Sequence, residues 1–112
     1  MSSWKSICNE QDLAPNIGSC ALVEDKHVAI FNCKRTNKLY AIANYDPIGK
    51  ASILSRGIIG SIEGQPYVAS PLYKQHFHLV TGKCLEEPEY QLETYPVRSV
   101  NGEIQVQLPG CV

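Results

Sequence analysis

Hydrophobic and polar residues alternate with a period close to two through most of the chain, which is the spacing of a half-buried β-strand rather than of a helix. Signals that start a helix are few: residues 11–13 could begin one turn, and the long loop over residues 44–57 could hold another. The predicted strands cover residues 4–8, 19–23, 27–34, 39–43, 57–63, 67–69, 77–79, 84–85, 94–100 and 103–108. About nine short antiparallel strands separated by turns predict an all-β sandwich or open barrel.

Glycine and asparagine mark the tightest connections. Asn101-Gly102 lies between two alternating runs, and this dipeptide is the strongest short-range signal of a β-hairpin. Gly82 stands at a second hairpin tip, where a positive φ is needed. Glu24-Asp25-Lys26 indicates a third hairpin. The other predicted connections are a turn over residues 64–66 and long loops over residues 44–57 and 70–76.

Length and composition favour one domain over residues 1–112. The chain is 44% hydrophobic and 19% charged, which excludes a disordered tail. The formal net charge of −1 comes from interspersed charges, and a nucleic-acid partner requires a basic surplus on one face. The N-terminus has no apolar run typical of a signal peptide, and no stretch of about 20 apolar residues exists to span a bilayer. We therefore expect a cytoplasmic protein that binds neither nucleic acid nor membrane.

The cysteines do not predict a disulfide framework, because their number is odd and their spacing wide. We interpret them as reduced packing residues, since free cysteine behaves as a small hydrophobe inside strands. The five positions are Cys8, Cys20, Cys33, Cys84 and Cys111.

Metal binding and catalysis have weak support in the sequence. His76 and His78 share a strand face and Cys84 follows, but a fourth zinc ligand at suitable spacing is missing. A half-exposed strand edge explains the two histidines better. Cys33 or Cys84 could pair with a histidine as a nucleophile, but no motif places them together. The sequence thus predicts neither a metal site nor a catalytic residue.

Two loops carry the most informative pattern. The first contains Asn44-Tyr45-Asp46-Pro47 and the second Ser70-Pro71-Leu72-Tyr73, followed by an aromatic-x-Leu-x-Thr-Gly stretch over residues 77–82. This layout resembles the Rieske iron–sulfur domain, whose first loop carries Cys-x-His and whose second carries Cys-Pro-x-His before the same trailing stretch. The resemblance implies a Rieske-like fold.

The ligand positions of that motif are replaced. Asn44 and Ser70 stand at the two cysteine positions, and Asp46 and Tyr73 stand at the two histidine positions. A Rieske centre needs two thiolates and two imidazoles. The resemblance therefore implies no cofactor in this chain. We hypothesise that hydrogen bonds among these four side chains join the loops where metal ligation would otherwise do so.

A ligand-free Rieske pattern of this length is similar to the small-subunit family of bacterial assimilatory NAD(P)H-dependent nitrite reductases. Members of that family work with a large subunit that carries flavin, sirohaem and iron–sulfur groups and reduces nitrite to ammonium. The resemblance implies a non-catalytic subunit of a nitrite reductase in nitrate assimilation, with the large subunit as its partner.

The loop end of the domain is the predicted docking surface, because aromatic side chains are favoured at the centre of interfaces. The candidate residues are Tyr45, Ile48, Leu72, Tyr73 and His76. Phe77 lies beside them in sequence, but a role in the core is favoured for its ring.

Two other functions remain open from the residues alone. One is a Rieske-type [2Fe-2S] electron carrier, which brown, iron-containing protein would indicate. The other is a free-standing protein-binding domain without a reductase partner.

Overall fold

The computed structural model describes residues 4–72 and 74–108. Short strands account for most of its regular structure, and its two 3-10 helices have one turn each. In the parts of the chain so described, no helix is long and apolar enough to cross a membrane. The strands are β1 (Trp4–Asn9), β2 (Ser19–Val23), β3 (Lys26–Cys33), β4 (Lys38–Ala43), β5 (Tyr45–Asp46), β6 (Ala51–Ser52), β7 (Ile58–Ile62), β8 (Gln65–Ala69), β9 (His76–His78), β10 (Thr94–Tyr95), β11 (Val97–Val100) and β12 (Glu103–Gln107), and the 3-10 helices are Glu10–Asp12 and Leu54–Arg56.

Antiparallel pairing builds all four sheets. Their strand orders are β1-β12-β11, β10-β4-β3-β2, β5-β6 and β7-β8-β9. β2, β3 and β4 form the meander that three consecutive strand-like runs indicate. The predicted all-β, antiparallel fold class is confirmed.

Backbone conformation at the hairpin tips agrees with the turn signals in the sequence. Asn101 and Gly102 have φ values of 52° and 82°, as a two-residue type I′ turn requires, and Val100 pairs with Glu103 across it. Gly82 has a φ of 79°, and a Cβ atom there would lie 2.1 Å from the carbonyl oxygen of Leu92. Only glycine therefore fits this tip.

Two hydrophobic clusters lie on opposite faces of β3. Residues 28–31 of this strand are all buried, and their side chains alternate between the two clusters. The first cluster includes Phe31 and Phe77, and the second includes Ile30 and Ile104. Because β3 is covered on both sides, its sequence is a continuous apolar run rather than a strict alternation.

The loop predicted over residues 44–57 contains regular structure that local composition did not indicate. β5 and β6 pair within it, and a 3-10 helix follows. Leu54 of that helix is fully buried in the first cluster, and its N–H donates to the carbonyl oxygen of Asn44 at 3.1 Å. A helical turn was expected as an option in this loop, but the β5–β6 pair was not, so the prediction of a loop without strands was wrong.

Three predicted strand boundaries were also wrong. Gln65 and Pro66 belong to β8 rather than to a turn. The carbonyl oxygen of Pro66 accepts a hydrogen bond from Leu79 N, so the backbone of Pro66 faces away from β7. Proline is tolerated here because the N–H that it lacks would not have bonded to β7. Residues 84–85 form no strand, since Cys84 makes only an isolated bridge to Phe77. The strand predicted over residues 94–100 is interrupted at Pro96, which divides it into β10 and β11.

The cysteines of the described residues are free. Cys33 and Cys84 are buried and Cys8 is partly buried, in agreement with a packing role. Cys20 is exposed, because it lies on the outward face of β2, where exposure alternates along the strand. The packing role expected for Cys20 was therefore wrong, and Cys111 lies outside the described residues.

Candidate functional site

The two loops meet through a buried carboxylate. Asp46 is fully buried, and its Oδ2 accepts a 2.5 Å hydrogen bond from the hydroxyl of Ser70 in the second loop. Its Oδ1 accepts from the backbone N–H groups of Ile48 at 2.9 Å and Gly49 at 3.0 Å. Three donors thus surround one carboxylate, which satisfies it without a cationic partner.

Local backbone structure holds both partners of this bond in place. A Cβ atom at Gly49 would lie 2.9 Å from Asp46 Oδ2 and from a methyl group of Leu72, so a side chain at this position would displace one of these two groups. In the second loop, Lys74 N donates to Ser70 O at 3.0 Å, and Ser70 N donates to Gln75 O at 2.9 Å. The serine is therefore fixed at the base of a closed turn.

Asn44 is buried but makes a different set of contacts. Its Oδ1 accepts from Ser55 N at 2.7 Å, and its Nδ2 donates to Cys20 Sγ at 3.4 Å. Asn44 thus anchors the 3-10 helix after the first loop and does not bridge to the second loop. Of the four residues in the hypothesised network, Asp46 and Ser70 are bonded to each other and Asn44 is not bonded to either side chain, while Tyr73 lies outside the described residues.

Side chains suited to docking surround this bond. Tyr45 is 48% exposed and Leu72 is 52% exposed, one from each loop. Ile48 is partly buried against the first hydrophobic cluster, and His76 is partly exposed. Phe77 is fully buried and belongs to the core.

The two histidines of β9 have different hydrogen-bond partners. His76 Nδ1 lies 2.6 Å from Glu86 Oε2. Burial acts to raise the pKa of Glu86, but hydrogen bonds from His76 and from the backbone of Glu86, together with the charge of His76, leave this pKa below its ordinary value. His78 Nδ1 accepts from the N–H groups of Val80 at 3.0 Å and Thr81 at 3.2 Å. Across the residues that the structure describes, no three His, Cys, Asp or Glu side chains gather as a metal site would require.

A thiol–imidazole pair lies beside the first loop and was missed at the level of sequence. Cys20 Sγ and His27 Nδ1 are 3.9 Å apart on the outer face of the β2–β3 hairpin. The register of the hairpin makes Cys20 and His27 diagonal neighbours, so a correct prediction of that register would have identified the pair. Burial raises the pKa of the Cys20 thiol, which keeps it protonated at neutral pH and gives no activated nucleophile.

Comparison with known proteins identifies the family. The protein-family model described as "Rieske-like [2Fe-2S] domain" matches residues 3–107 of this chain. The nitrite reductase (NADH) small subunit of Escherichia coli is 42% identical over 107 residues, which cover 96% of this chain and 99% of that protein. The chain belongs to the nitrite reductase small-subunit family.

Two further comparisons describe the family. The NMR structure of the E. coli protein NirD matches with a TM-score of 0.89 at 41% identity, covering 98% of this chain and 100% of that one. The nitrite reductase [NAD(P)H] large subunit of Klebsiella oxytoca is 33% identical over 103 residues, covering 92% of this chain and 11% of that protein. The same kind of domain thus occurs both as a small chain and as part of a much longer one.

The loop residues do not fit the cluster in the name of the matched domain. A Rieske cluster takes two thiolates and two imidazoles from the two loops. The described ligand positions hold an amide, a carboxylate and a hydroxyl, from Asn44, Asp46 and Ser70, and all three are buried. Their polar atoms are already hydrogen-bonded within the protein.

Removing the Ser70 hydroxyl should destabilise the fold, because Asp46 Oδ2 would lose its donor while staying buried. We expect Ser70→Ala to lower the free energy of unfolding by about 1–3 kcal/mol in urea denaturation. Ser52→Ala, at an exposed serine of β6, is the matched control and should change it by less than about 0.5 kcal/mol. Equal stability of the two variants would contradict the role assigned to the Asp46–Ser70 bond.

His78 should make stability depend on pH. Two N–H groups point at Nδ1, so the ring is neutral with Nε2–H donating to Gln65 at 3.0 Å, and burial lowers its pKa below the ordinary 6.5. Its stabilising contribution should be complete above pH 6.5 and be lost as the pH falls through the lower folded-state pKa.

The measurement is the difference in unfolding free energy between the wild type and His78→Gln, taken in urea from about pH 5 to about pH 8. This difference removes the contributions of the other two histidines. The difference in unfolding free energy should become smaller as the pH falls below 6.5. A difference that stays constant over this range would contradict the assigned protonation state.

Proposed function

We propose that this chain is the small, non-catalytic subunit of a cytoplasmic NAD(P)H-dependent nitrite reductase, and that it acts by docking to the large subunit. The observation that carries the proposal is the match to the E. coli small subunit over nearly the whole length of both proteins. In this role the flavin, sirohaem and iron–sulfur groups that reduce nitrite to ammonium reside on the large subunit. The small chain supplies shape and contact.

The Klebsiella protein supports the large subunit as the partner. A segment of that large subunit is 33% identical to this chain, so in that protein one polypeptide holds the same kind of domain beside the rest of the enzyme. Covalent union keeps two domains at high effective concentration. Where the domain is a separate chain, its surface must provide the equivalent association.

The loop end of the domain is the docking surface in this proposal. Tyr45 and Leu72 expose large side chains from two loops that the Asp46–Ser70 bond holds together. A preformed pair of apolar side chains loses little conformational entropy on binding, which favours affinity. Ile48, Tyr73 and His76 complete the proposed surface.

We also propose that the chain holds no iron–sulfur cluster and carries no electrons. The support is the donor chemistry at the ligand positions, where Asn44, Asp46 and Ser70 offer no thiolate and no imidazole. The same observation weighs against a Rieske-type electron carrier.

The docking surface is tested by binding to the large subunit encoded by the same organism. Tyr45→Ala and Leu72→Ala should each weaken the complex by about tenfold or more, as truncation of a central interface residue does. Leu22→Ala, at a leucine that is 65% exposed on β2, is the matched control and should bind like the wild type. Isothermal titration calorimetry measures all four affinities. Unchanged affinity in both loop variants would remove this surface, and a wild type that does not bind would remove the partner.

The absence of a cluster is tested on the chain produced with iron and sulfide in excess. The purified protein should be colourless, with no visible absorption band and no iron at cluster stoichiometry by elemental analysis. A Rieske ferredoxin produced in parallel serves as the positive control. Iron that copurifies at cluster stoichiometry with an electron paramagnetic resonance signal would contradict this proposal.

A further inference from the structure

β7 is an edge strand of the β7-β8-β9 sheet. It pairs with β8 on one side, from Ile58 opposite Ala69 to Ile62 opposite Gln65. Within residues 4–72 and 74–108, no backbone or side-chain hydrogen bond joins β7 to any other element. Its second side is therefore open to another strand.

The position of Pro66 shows which backbone groups of β7 point towards the open edge. The carbonyl of Pro66 accepts from Leu79 N at 3.0 Å, so Pro66 directs its backbone groups away from β7. Ser61 stands opposite Pro66 and therefore directs its own N–H and C=O away from β8, and Ile59, two residues earlier, does the same. Two residues thus present four backbone groups along the open edge.

The side chains of β7 do nothing to protect this edge. Natural edge strands are usually blunted by charged residues, proline or a bulge. β7 has the sequence Ile-Ile-Gly-Ser-Ile, with no charge, no proline and an unbroken register. Ile58 is 80% exposed, and a Cβ atom at Gly60 would meet nothing within 4 Å. An added strand would therefore meet no charged side chain of β7.

A groove of about 200 Å³ lies against β7 and β8. Its lining includes Ile59 and Ser61 of β7, Pro66 of β8, and Cys33 and Arg35. Among the described residues, Arg35 makes no salt bridge. The groove can take an apolar side chain of an incoming strand, and the guanidinium group favours an acidic residue next to it.

We propose that β7 is completed in the assembly by an extended segment of the large subunit, which adds a fourth strand to the sheet. This segment hydrogen-bonds to Ile59 and Ser61, places an apolar side chain in the groove and directs a carboxylate to Arg35. The inference rests on the proposed function and deepens it. Continuity supports this occupant, because Ile58 lies opposite Ala69, the residue before Ser70, so the open edge begins at the docking surface.

Amide hydrogen exchange tests the added strand directly. In the free chain, the amides of Ile59 and Ser61 should exchange fast, while those of Gly60 and Ile62, which face β8, exchange slowly. In the complex with the large subunit, the amides of Ile59 and Ser61 should slow by about a hundredfold or more, as hydrogen-bonded strand amides do. Unchanged exchange at both residues in a formed complex would overturn the added strand and leave the docking proposal standing.

Substitutions test the same contact by affinity. Ser61→Pro removes an outward N–H without removing a bond to β8, and it should weaken binding by about tenfold. Slow exchange at Gly60 and Ile62 in the variant shows that the sheet is intact. Ile58→Lys is a second variant that does not depend on proline geometry, with Leu22→Lys as its matched control. Wild-type affinity in both Ser61→Pro and Ile58→Lys would overturn the proposal.

Charge reversal tests the chemistry of the occupant. Arg35→Glu should weaken binding by about tenfold, and Arg35→Lys should recover most of the affinity because it keeps the positive charge. Protection of Ile59 and Ser61 that grows with the concentration of the free chain would instead indicate pairing with a second copy and overturn the large subunit as occupant. A wild-type chain that forms no complex would overturn the proposed function and this inference together.

Discussion

The hydrogen bond between Ser70 and Asp46 is the contact on which the loop end of this domain depends. Hydrogen bonds to a carboxylate are short and roughly twice as strong as neutral ones, and this one joins two loops far apart in sequence. The absence of a side chain at Gly49 leaves room for the carboxylate in the first loop. In Rieske domains a metal cluster joins the corresponding loops. Here a side-chain hydrogen bond joins them, and Tyr45 and Leu72 stay exposed at the loop tips.

Beneath the loops, the sheets act as a rigid support. β3 is packed on both faces, and its neighbours carry residues to either hydrophobic cluster, so the loops start from a well-defined base. Interface residues placed on such a base bind with little reorganisation. β7 is an open edge without charged residues, so this edge is not protected against pairing with another strand. The two features together favour a protein whose surface is complete only in an assembly.

Local signals in the sequence determined much of the fold, and long-range contacts determined the rest. The Asn101-Gly102 hairpin was predictable because its conformation follows from two adjacent residues. The position of the 3-10 helix at residues 54–56 was not, since it is determined by the burial of Leu54 in a core built by distant strands. At the site, the loop pattern indicated a hydrogen-bonded link between the two loops, which the Asp46–Ser70 bond provides, but it grouped Asn44 with them although its partners are Cys20 and Ser55.

The pairing of the first strand with the last has a consequence for how this domain can be combined with others. Trp4 of β1 stands directly opposite Gln107 of β12, so the polypeptide enters and leaves the fold at one place. A unit with adjacent entry and exit points can be spliced into a longer protein, or released from one, without rearranging its sheets. Such modularity accounts for homologous sequence both in a free-standing chain and within a large one, and it makes gene fusion a structurally simple step.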